Sequence, residues 1–401
     1  MKRILLAHPR LSSPLGGAEG VAAWLIHGLL RRPEYRLDIA CATPPAFEAL
    51  DEFFGTRLAP GCGALSIHLL PASLQRLMRS ARALGLRAAA LEISLLERWT
   101  STIVERQGPY DLYISTRNEL QFPSGPALFY VHYPRHHPLR GEAEMHWYHR
   151  IPGSLALYRT FCRTLHHAPA GGSSGTVAVA NSQWTAARYA QLHGRPAAVV
   201  SPPVASAPGA VVPWEERANL LVILGRISPE KRHDAAIAIL ARARRQVGDT
   251  LAPTVHVIGA WGEYASYNRR VQRLFDENAA WLRHSPYLPR AAVDRELANA
   301  RYGLHRMHDE HFGMAVAEMQ SSGCVAFVHA SGGPREIIGE EPRQIYATDD
   351  EAVDKLAHVL TDPAGQRALH ERALERRPLF STHRFVEGML SNVEELLRGT
   401  P

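Results

Sequence analysis

Two glutamates separated by seven residues, Glu310 and Glu318, stand in the segment HDEHFGMAVAEMQ. Between them, Gly313 and Met314 predict the start of a helix that contains Glu318, which leaves Glu310 in the preceding loop. Backbone amides at a helix start attract an anion, here around Phe312. Each carboxylate would accept hydrogen bonds from hydroxyl groups on its own side of that anion. A nucleotide sugar has this layout, with its sugar, diphosphate and ribose in a row. The spacing alone favours the alternative, which is a capping acid and a solvated helix acid.

Two cations in the segment GRISPEKR offer a second contact for phosphate. Arg226 directly follows the apolar part of the predicted strand NLLVILGRI, and Lys231 is predicted at the start of the next helix. Ligands of open parallel sheets bind beyond the carboxyl ends of the strands, so both cations are expected where an anion would lie. Arginine can bind phosphate through two hydrogen bonds, and lysine acts as a point charge. Two solvated surface cations are the alternative.

Glycines and a histidine mark two strand ends in the first half of the chain. Gly16 and Gly17 end a loop that leads into the predicted helix VAAWLIHGLL, and glycines there let a phosphate approach the backbone. The pattern is not the G-x-G-x-x-G of dinucleotide sites, and a tight turn is the alternative. His132 ends the predicted strand 128–132, where it would touch a substrate or be a hydrogen-bonded core histidine.

Closely spaced histidines raise the question of a metal site. His305, His308 and His311 are three residues apart, a spacing that aligns ligands only on a helix, and this segment is predicted as a loop. No cysteine or second cluster accompanies them, so the sequence predicts no metal. The same conclusion applies to four histidines in the middle of the chain, which are His136, His137, His146 and His149.

The order of elements predicts two α/β domains with parallel sheets. Short apolar runs in the first half predict strands at 4–7, 37–41, 112–115, 128–132, 177–180 and 198–200. The proline-rich stretch 201–213 predicts a boundary. After it, the strand NLLVILGRI, the helix KRHDAAIAILARARRQ, the strand TVHVIG and a strand at 325–328 predict a second sheet, and STHRFVEGMLSNVEELLRG predicts a terminal helix.

The composition narrows the class of protein. The 401 residues carry a formal net charge of +6, with 46% hydrophobic and 21% charged residues, as in an ordinary globular protein. No lysine- or arginine-dense run indicates a nucleic-acid-binding arm. None of the four cysteines lies at metal or redox spacing from another, which favours a reducing compartment. No apolar run is long enough to span a membrane. The sequence therefore predicts a cytoplasmic protein that binds no nucleic acid.

One segment offers a contact with a membrane surface. Residues 74–99 place Leu74, Leu77, Met78 and Leu84 at helical spacing, with arginines between them. A basic amphipathic helix can lie on an anionic membrane, which would make the protein peripheral at the inner face. Packing of the apolar face on its own domain is the alternative.

Five motifs together resemble glycosyltransferase family 4. In chain order they are GGAE at 16–19, NSQWTAARY at 181–189, LGRISPEKR at 224–232, EHFGMAVAE at 310–318 and SGGPREI at 331–337. They cover most of the chain, and those of the second half match more specifically. YVHYP at 130–134 and DEHFGMAVAE at 309–318 are most similar to the α-1,2-mannosyltransferase branch, which extends the lipid-linked oligosaccharide core.

The resemblance implies the GT-B fold, with two Rossmann-like domains facing across a cleft and a C-terminal helix that returns to the first domain. It implies an acceptor-side domain at 1–204, a nucleotide-sugar-binding domain at 205–380 and that helix at 381–401. The implied reaction retains anomeric configuration and needs no metal or cofactor besides the donor, GDP-mannose in this branch. The acceptor would be a hydroxyl of a glycan, a glycolipid or a small molecule.

The resemblance also implies a role for each candidate residue. Four residues are implied in catalysis: Arg226 and Lys231 would bind the diphosphate, Glu310 would bind the donor sugar, and His132 would lie beside that sugar. The further contacts are Gly16 and Gly17 under the diphosphate, Phe312, Gly313 and Met314 through their amides, Glu318 with the ribose, and Tyr287 and Leu288 with the base. A UDP-sugar-dependent transferase, a GT-B sugar-nucleotide epimerase and a non-catalytic partner subunit share these features, and fold alone does not separate them.

Overall fold

The structure, a computed structural model, describes residues 1–12, 16–83, 89–123, 125–134, 153, 160, 175–204 and 211–399. The chain divides into two compact units. The first unit comprises Met1–Asn181, Thr185–Pro203 and Thr382–Pro401, and the second comprises Ser182–Trp184 and Val204–Ser381. The histidines at 136, 137, 146 and 149 lie outside the described residues.

A parallel sheet of seven strands forms the centre of the first unit. Its strands are β1 (Lys2–Ala7), β2 (Tyr35–Cys41), β3 (Ser66–Leu69), β4 (Leu112–Ser115), β5 (Ala127–Val131), β6 (Thr176–Ala180) and β7 (Ala198–Val199). Their order is β3-β2-β1-β4-β5-β6-β7, so the direction of winding reverses between β1 and β4. Ile4 pairs with Leu37 on one side and Leu112 on the other. Such strands are apolar throughout because both faces of the sheet are buried.

Helices cover both faces of this sheet. They are α1 (Gly17–Leu30), α2 (Phe47–Phe54), α3 (Ala72–Ala83), α4 (Ala89–Gln107), α5 (Gln183–His193), whose first two residues group with the second unit, and, from the end of the chain, α13 (Thr382–Arg398). Phe385 and Met389 of α13 are buried in one core with Leu25 and Leu29 of α1. A Cβ on Gly28 would lie 2.6 Å from Val386, so this glycine permits the close approach of the two helices. The last helix is therefore part of the first core.

The second unit repeats the architecture with six parallel strands. They are β8 (Ala218–Leu224), β9 (Thr254–Ile258), β10 (Leu282–Ser285), β11 (Ala300–His305), β12 (Val325–His329) and β13 (Ile345–Tyr346), in the order β10-β9-β8-β11-β12-β13. The winding reverses between β8 and β11. Parallel sheets bind ligands at this point, because the loops after the two strands diverge and leave room between them.

Two helical layers cover the second sheet. The helices are α6 (His233–Val247), α7 (Ala265–Glu277), α8 (Arg290–Asn299), α9 (Met314–Ser321), α10 (Pro334–Ile337), α11 (Asp349–Leu360) and α12 (Pro363–Arg376). Ile237 of α6, Val271 of α7 and Leu356 of α11 share one core. Leu297 of α8 and Val316 of α9 belong to the core on the opposite face. The predicted doubly wound α/β class is thus confirmed in both units.

Several predicted boundaries are wrong. The first helix begins at Gly17, so the glycine loop is shorter than predicted, and the helix predicted from Lys231 begins at His233. Lys231 instead ends a short 3-10 turn, Pro229–Lys231, and the left-handed backbone of Arg232 separates this turn from the helix that begins at His233. His305, predicted in a loop, is the last residue of β11. The sequence analysis also missed β3, β10, β11 and β13.

The basic segment 74–99 forms parts of two helices, α3 and α4, and not one. Met78 is 3% exposed and packs with Leu91 and Leu95, and Leu74 is partly buried against them. These contacts favour packing on its own domain, although Leu77 is 39% exposed. Leu84 lies outside the described residues. None of the described helices combines the length and apolar character needed to cross a bilayer.

The role of α13 in the first core can be tested at Phe385. Its side chain is 1% exposed, so Phe385→Ala should lower the free energy of unfolding by about 3–5 kcal/mol through lost burial and the cavity left behind. Urea unfolding followed by tryptophan fluorescence measures the change. Glu387→Ala, on the same helix at a carboxylate that is 67% exposed, is the control and should change stability little. If Phe385→Ala were as stable as Glu387→Ala, α13 would not contribute to the first core as described.

Candidate functional site

An ion pair connects the loops that follow β8 and β11 at the point where the winding of the second sheet reverses. Lys231 Nζ donates a hydrogen bond to Glu310 Oε2, and His305 Nε2 lies 3.3 Å from the same oxygen. The Glu310 side chain is only 14% exposed. The structure therefore brings together two of the predicted site residues, and adds His305, which the sequence analysis weighed only as a metal ligand.

The charges of this cluster follow from burial and from the lysine. Burial by itself raises the pKa of the Glu310 carboxyl, but Lys231 and His305 outweigh it and hold that pKa well below its ordinary value. Burial lowers the pKa of His305, against a smaller upward effect of Glu310. At neutral pH the Glu310 carboxylate is therefore ionised and the His305 imidazole is neutral.

Only one oxygen of Glu310 is engaged. Both Lys231 and His305 contact Oε2, and none of the described residues forms a hydrogen bond to Oε1. Since the side chain retains some exposure, Oε1 can accept a hydrogen bond from outside the protein. The arrangement thus provides one oriented, charged acceptor for a ligand hydroxyl.

The glycine pair after β12 fixes the backbone around Glu310. Gly332 forms a parallel bridge with Glu310, and Gly333 N donates to Glu310 O over 2.8 Å. Gly332 has φ of 90°, and a Cβ there would lie 2.4 Å from Glu310 O. A Cβ on Gly333 would lie 2.3 Å from His311 O. Only glycines allow the two loops to approach this closely, so Gly332 and Gly333 fix the position of the Glu310 backbone.

The start of α9 lies directly after Glu310 and has the features of an anion site. Gly313 is the N-cap with φ of 102°, and no side chain of the described residues accepts the first-turn amides. Phe312 is buried in the core at 4% exposure, which anchors the loop, while Met314 is partly buried there. Unpaired amides and the helix dipole favour an anion at this end.

Arg226 is placed differently from Lys231. Its side chain is 63% exposed, and its guanidinium lies 3.3 Å from Glu230, four residues along the chain. Exposed pairs of this kind contribute little to stability, so the arginine can exchange Glu230 for a ligand at low cost. Of the two predicted cations, one is therefore solvent-facing and one belongs to the ion-pair cluster.

Glu318 has a cationic partner that the sequence analysis missed. Arg290, at the start of α8, contacts Glu318 Oε1 over 2.5 Å and Asp294 over 2.7 Å. Tyr287, three residues before Arg290, is 79% exposed, and Leu288 packs on the core. Arg290 thus contacts Glu318, the residue predicted to bind the ribose, and follows closely after Tyr287 and Leu288, which are predicted to contact the base.

A buried histidine next to the ion pair was also missed. His233, the first residue of α6, is 1% exposed, and among the described residues neither ring nitrogen has a hydrogen-bond partner of normal geometry. Burial, Lys231 and His305 together lower its pKa to about 4, so the ring is neutral. No local signal marked this residue, because His305, which acts on its pKa, is brought near it by β11.

The first unit holds the remaining predicted residues. His132 follows β5, and its Nε2 donates to Thr116 O over 3.1 Å, while its backbone amide donates to Asn118 over 2.8 Å. Burial, and then Arg117, lower the pKa of His132 to about 4, which leaves Nδ1 as a neutral acceptor. Both the substrate-lining and the core interpretations remain compatible with this geometry.

Gly16 and Gly17 lie at the start of α1. Gly16 precedes the helix in an extended conformation, with φ of 177°, and Gly17 is its first residue. Glu19 in the first turn is 7% exposed, and Arg117 lies 3.8 Å from it. Burial raises the pKa of Glu19.

Among the described residues of either unit, no three histidine, cysteine or acidic side chains form a group that could hold a metal ion.

Comparison with known proteins agrees with these features. Residues 210–376 match the model of the family Glycosyl transferases group 1. The chain is 27% identical over 244 residues to the GDP-Man:Man(3)GlcNAc(2)-PP-Dol alpha-1,2-mannosyltransferase of Mus musculus, a match that covers 56% of this chain and 50% of that protein. It is 28% identical over 267 residues to the enzyme of the same name from Neurospora crassa, covering 56% of this chain and 46% of that protein. The chain thus spans about half the length of these relatives.

Solved structures share the whole fold. Sucrose-phosphate synthase from Thermosynechococcus elongatus superposes with a TM-score of 0.65 at 13% identity over 100% of both chains. A glycosyltransferase from Rickettsia africae gives a TM-score of 0.63 at 13% identity over 100% of this chain and 99% of that one. The predicted GT-B fold and the resemblance on which it rested are confirmed.

The charge of Glu310 has a measurable consequence for stability. Its pKa is lowered in the folded state, so the carboxylate stabilises the fold above its unfolded pKa of about 4.3, and this stabilisation is lost as the pH falls below that value. Glu310→Gln should be less stable at neutral pH and depend less steeply on pH below about 4.3. Urea unfolding at a series of pH values measures this, with Glu277→Gln as the exposed control. Parallel pH profiles of wild type and Glu310→Gln would show that the pairing is weak.

Proposed function

We propose that this chain, which carries a glycosyl transferases group 1 domain on the GT-B fold, is a retaining, metal-independent glycosyltransferase that moves a hexose from a nucleotide sugar to an acceptor hydroxyl. The observation that carries the proposal is the cluster at the reversal of the second sheet. There, a charged carboxylate with one free oxygen precedes an uncapped helix start, beside a lysine and near the loop of an exposed arginine. A sugar hydroxyl and a diphosphate require these groups in this order.

The diphosphate is the leaving group, and its stabilisation is the main chemical task. Arg226, Lys231 and the amides at the start of α9 supply positive charge and donors where negative charge develops. The Lys231 ammonium has three hydrogens, so it can keep Glu310 and also donate to a phosphate oxygen. This set supplies the countercharge that a metal ion would provide in other transferases.

Glu310 serves as a ligand for the donor sugar and not as a nucleophile. Its lowered pKa makes it a weak base, and its Oε2 is engaged by Lys231. Oε1 accepts a hydroxyl of the sugar. Since no other acid of the described residues contacts Lys231 or His305, we propose a front-face reaction in which the leaving phosphate assists deprotonation of the acceptor.

The remaining contacts follow the resemblance. Glu318 accepts the ribose hydroxyls while Arg290 holds it in place, and Tyr287 and Leu288 contact the base. In the first unit, we propose that Gly16 and Gly17 contact the diphosphate and that His132 contacts the donor sugar.

GDP-mannose is the proposed donor, and a glycan or glycolipid hydroxyl is the proposed acceptor. The names of the relatives from Mus musculus and Neurospora crassa support both parts. We also propose a cytoplasmic location, with peripheral contact at the inner membrane face through 74–99. The exposed Leu77 supports that contact, and the burial of Met78 limits its extent.

Donor choice can be measured by isothermal titration with GDP and UDP. We expect GDP to bind more tightly, because the motifs around Glu310 and His132 are those of the mannosyltransferase branch. Glu318→Ala should weaken binding of either nucleotide, since it removes the ribose acceptor. Tighter binding of UDP would replace GDP-mannose by a UDP-sugar and leave the transferase proposal standing.

Arg226→Ala should reduce turnover without destabilising the protein. An interaction with a charged group contributes about 1.5–3 kcal/mol, so the loss corresponds to roughly tenfold to a hundredfold. The diphosphate gains charge as the glycosidic bond breaks, so the effect should appear in kcat. Release of GDP from GDP-mannose in the presence of acceptor is the assay. Arg273→Ala, at an exposed arginine of α7, is the matched control.

Lys231→Ala should behave differently from Arg226→Ala. It removes the partner of a largely buried carboxylate, so it should lower both kcat and Tm. Near-normal turnover in Arg226→Ala would show that the exposed arginine is not part of the site.

A further inference from the structure

Two arginines of the second unit meet at one imidazole, and among the described residues neither of them forms a hydrogen bond with Lys231 or Glu310. Arg232 Nη1 lies 2.8 Å from His308 Nε2, and Arg306 Nη1 contacts the same nitrogen. Guanidinium groups only donate hydrogen bonds, so this nitrogen carries no proton. Arg232 Nη1 also lies 3.2 Å from His308 Nδ1, so two like charges are held against one imidazole ring.

The histidines of this cluster are neutral and supply no counter-charge. The His308 ring stacks on His329 with centroids 3.8 Å apart. Burial, His329 and the two arginines lower the pKa of His308 to about 4. His329 Nε2 lies 3.1 Å from Ala347 O, and its Nδ1 lies 2.8 Å from Ser331 Oγ. Both rings thus act as rigid neutral supports for the arginines.

Of the two guanidinium groups, only that of Arg306 has a carboxylate partner among the described residues. Arg306 is 5% exposed and pairs with Asp349, to which its Nε donates over 2.8 Å. Arg232, half-buried, has no carboxylate within 4.0 Å among the described residues, and its hydrogen bonds there go to His308 alone. Asp309 is the other nearby acid, but its effect on His308 is smaller than that of either arginine. An unpaired guanidinium beside a second one is a costly arrangement unless an anion joins them.

The backbone is also strained at this place. Arg232 has φ of 54° and ψ of 45°, and Asp309 has φ of 48°. Left-handed conformations cost side-chain-bearing residues energy that glycine does not lose, and they persist mostly at functional positions. Glycine would fit the backbone at 232 better, so the presence of arginine points to a use for its charge.

We propose that Arg232, Arg306 and His308 form a binding site for a phosphate group, separate from the contacts of the donor diphosphate. Arg232 follows Lys231 directly, but Lys231 is directed to Glu310 and Arg232 to His308. The guanidinium fork matches phosphate oxygens through paired hydrogen bonds. The phosphate is either free in solution or carried by a second substrate.

The test measures phosphate binding by isothermal titration, with inorganic phosphate as the probe and with GDP at a saturating concentration so that the donor diphosphate contacts are occupied. Wild type should still bind phosphate saturably. Arg232→Gly should weaken binding at least tenfold while its Tm stays level or rises, because glycine relieves the backbone strain. Arg232→Lys keeps the charge and should retain part of the binding.

Two control variants distinguish the effect of losing the Arg232 charge from the effect of placing glycine at a left-handed position. Glu340→Gly makes the same change at another left-handed residue, with φ of 56°, and Arg273→Ala removes an exposed arginine; both should bind phosphate like wild type. Tighter binding of glycerol 3-phosphate than of inorganic phosphate would identify a substrate-borne group, and the reverse would identify the free ion. The proposal is overturned by an absence of saturable phosphate binding in the presence of GDP, or by wild-type binding in Arg232→Gly.

Discussion

The ion pair between Lys231 and Glu310 is the contact on which the candidate site depends. It joins the loops after β8 and β11, and the glycines at 332 and 333 bring the loop after β12 against the same backbone. If the loops separated while Glu310 stayed largely buried, its charge would lose its partner, which is strongly unfavourable, so the pair favours one arrangement of the two loops without a ligand. The site is therefore organised before the donor arrives, which reduces the entropy that binding must overcome.

Glu310 and Glu318 each pair with a different cation, and this pairing determines how each carboxylate can interact with a ligand. Glu310 is paired through Oε2 with Lys231, and Glu318 is paired through Oε1 with Arg290. Neither acid can approach a ligand as an isolated negative charge, which would repel a diphosphate. In the proposed site, each would instead offer its remaining oxygen to a hydroxyl, while the cation would stay close to the phosphate. The pairing reconciles two carboxylates with an anionic ligand in one small region.

The sequence predicted features that depend on neighbours along the chain, and it missed those that depend on distant ones. The apolar runs of β1, β8 and β12, the helix start at Met314 and the cations at 226 and 231 follow from local pattern. By contrast, β10 has the sequence LRHS and β11 the sequence ARYGLH, so their polar and small residues hid strands that only pairing within the sheet stabilises. Arg290 and His233 could not be recognised because their partners are brought to them by the fold. The left-handed backbone of Arg232 has no sequence signal at all, since glycine is the residue expected there.

The position of α13 in the first core has a consequence for biosynthesis. A ribosome delivers residues from the N-terminus, yet Phe385, Met389 and Val393 are needed to complete the core around α1. The segment 204–381 emerges earlier and contains every strand of its own sheet. The second unit is therefore the first that can close during translation, and the N-terminal sheet waits for the last helix with an apolar face uncovered. Until α13 is synthesised, the apolar face around Leu25 and Leu29 is the part of the first core most open to aggregation of nascent chains.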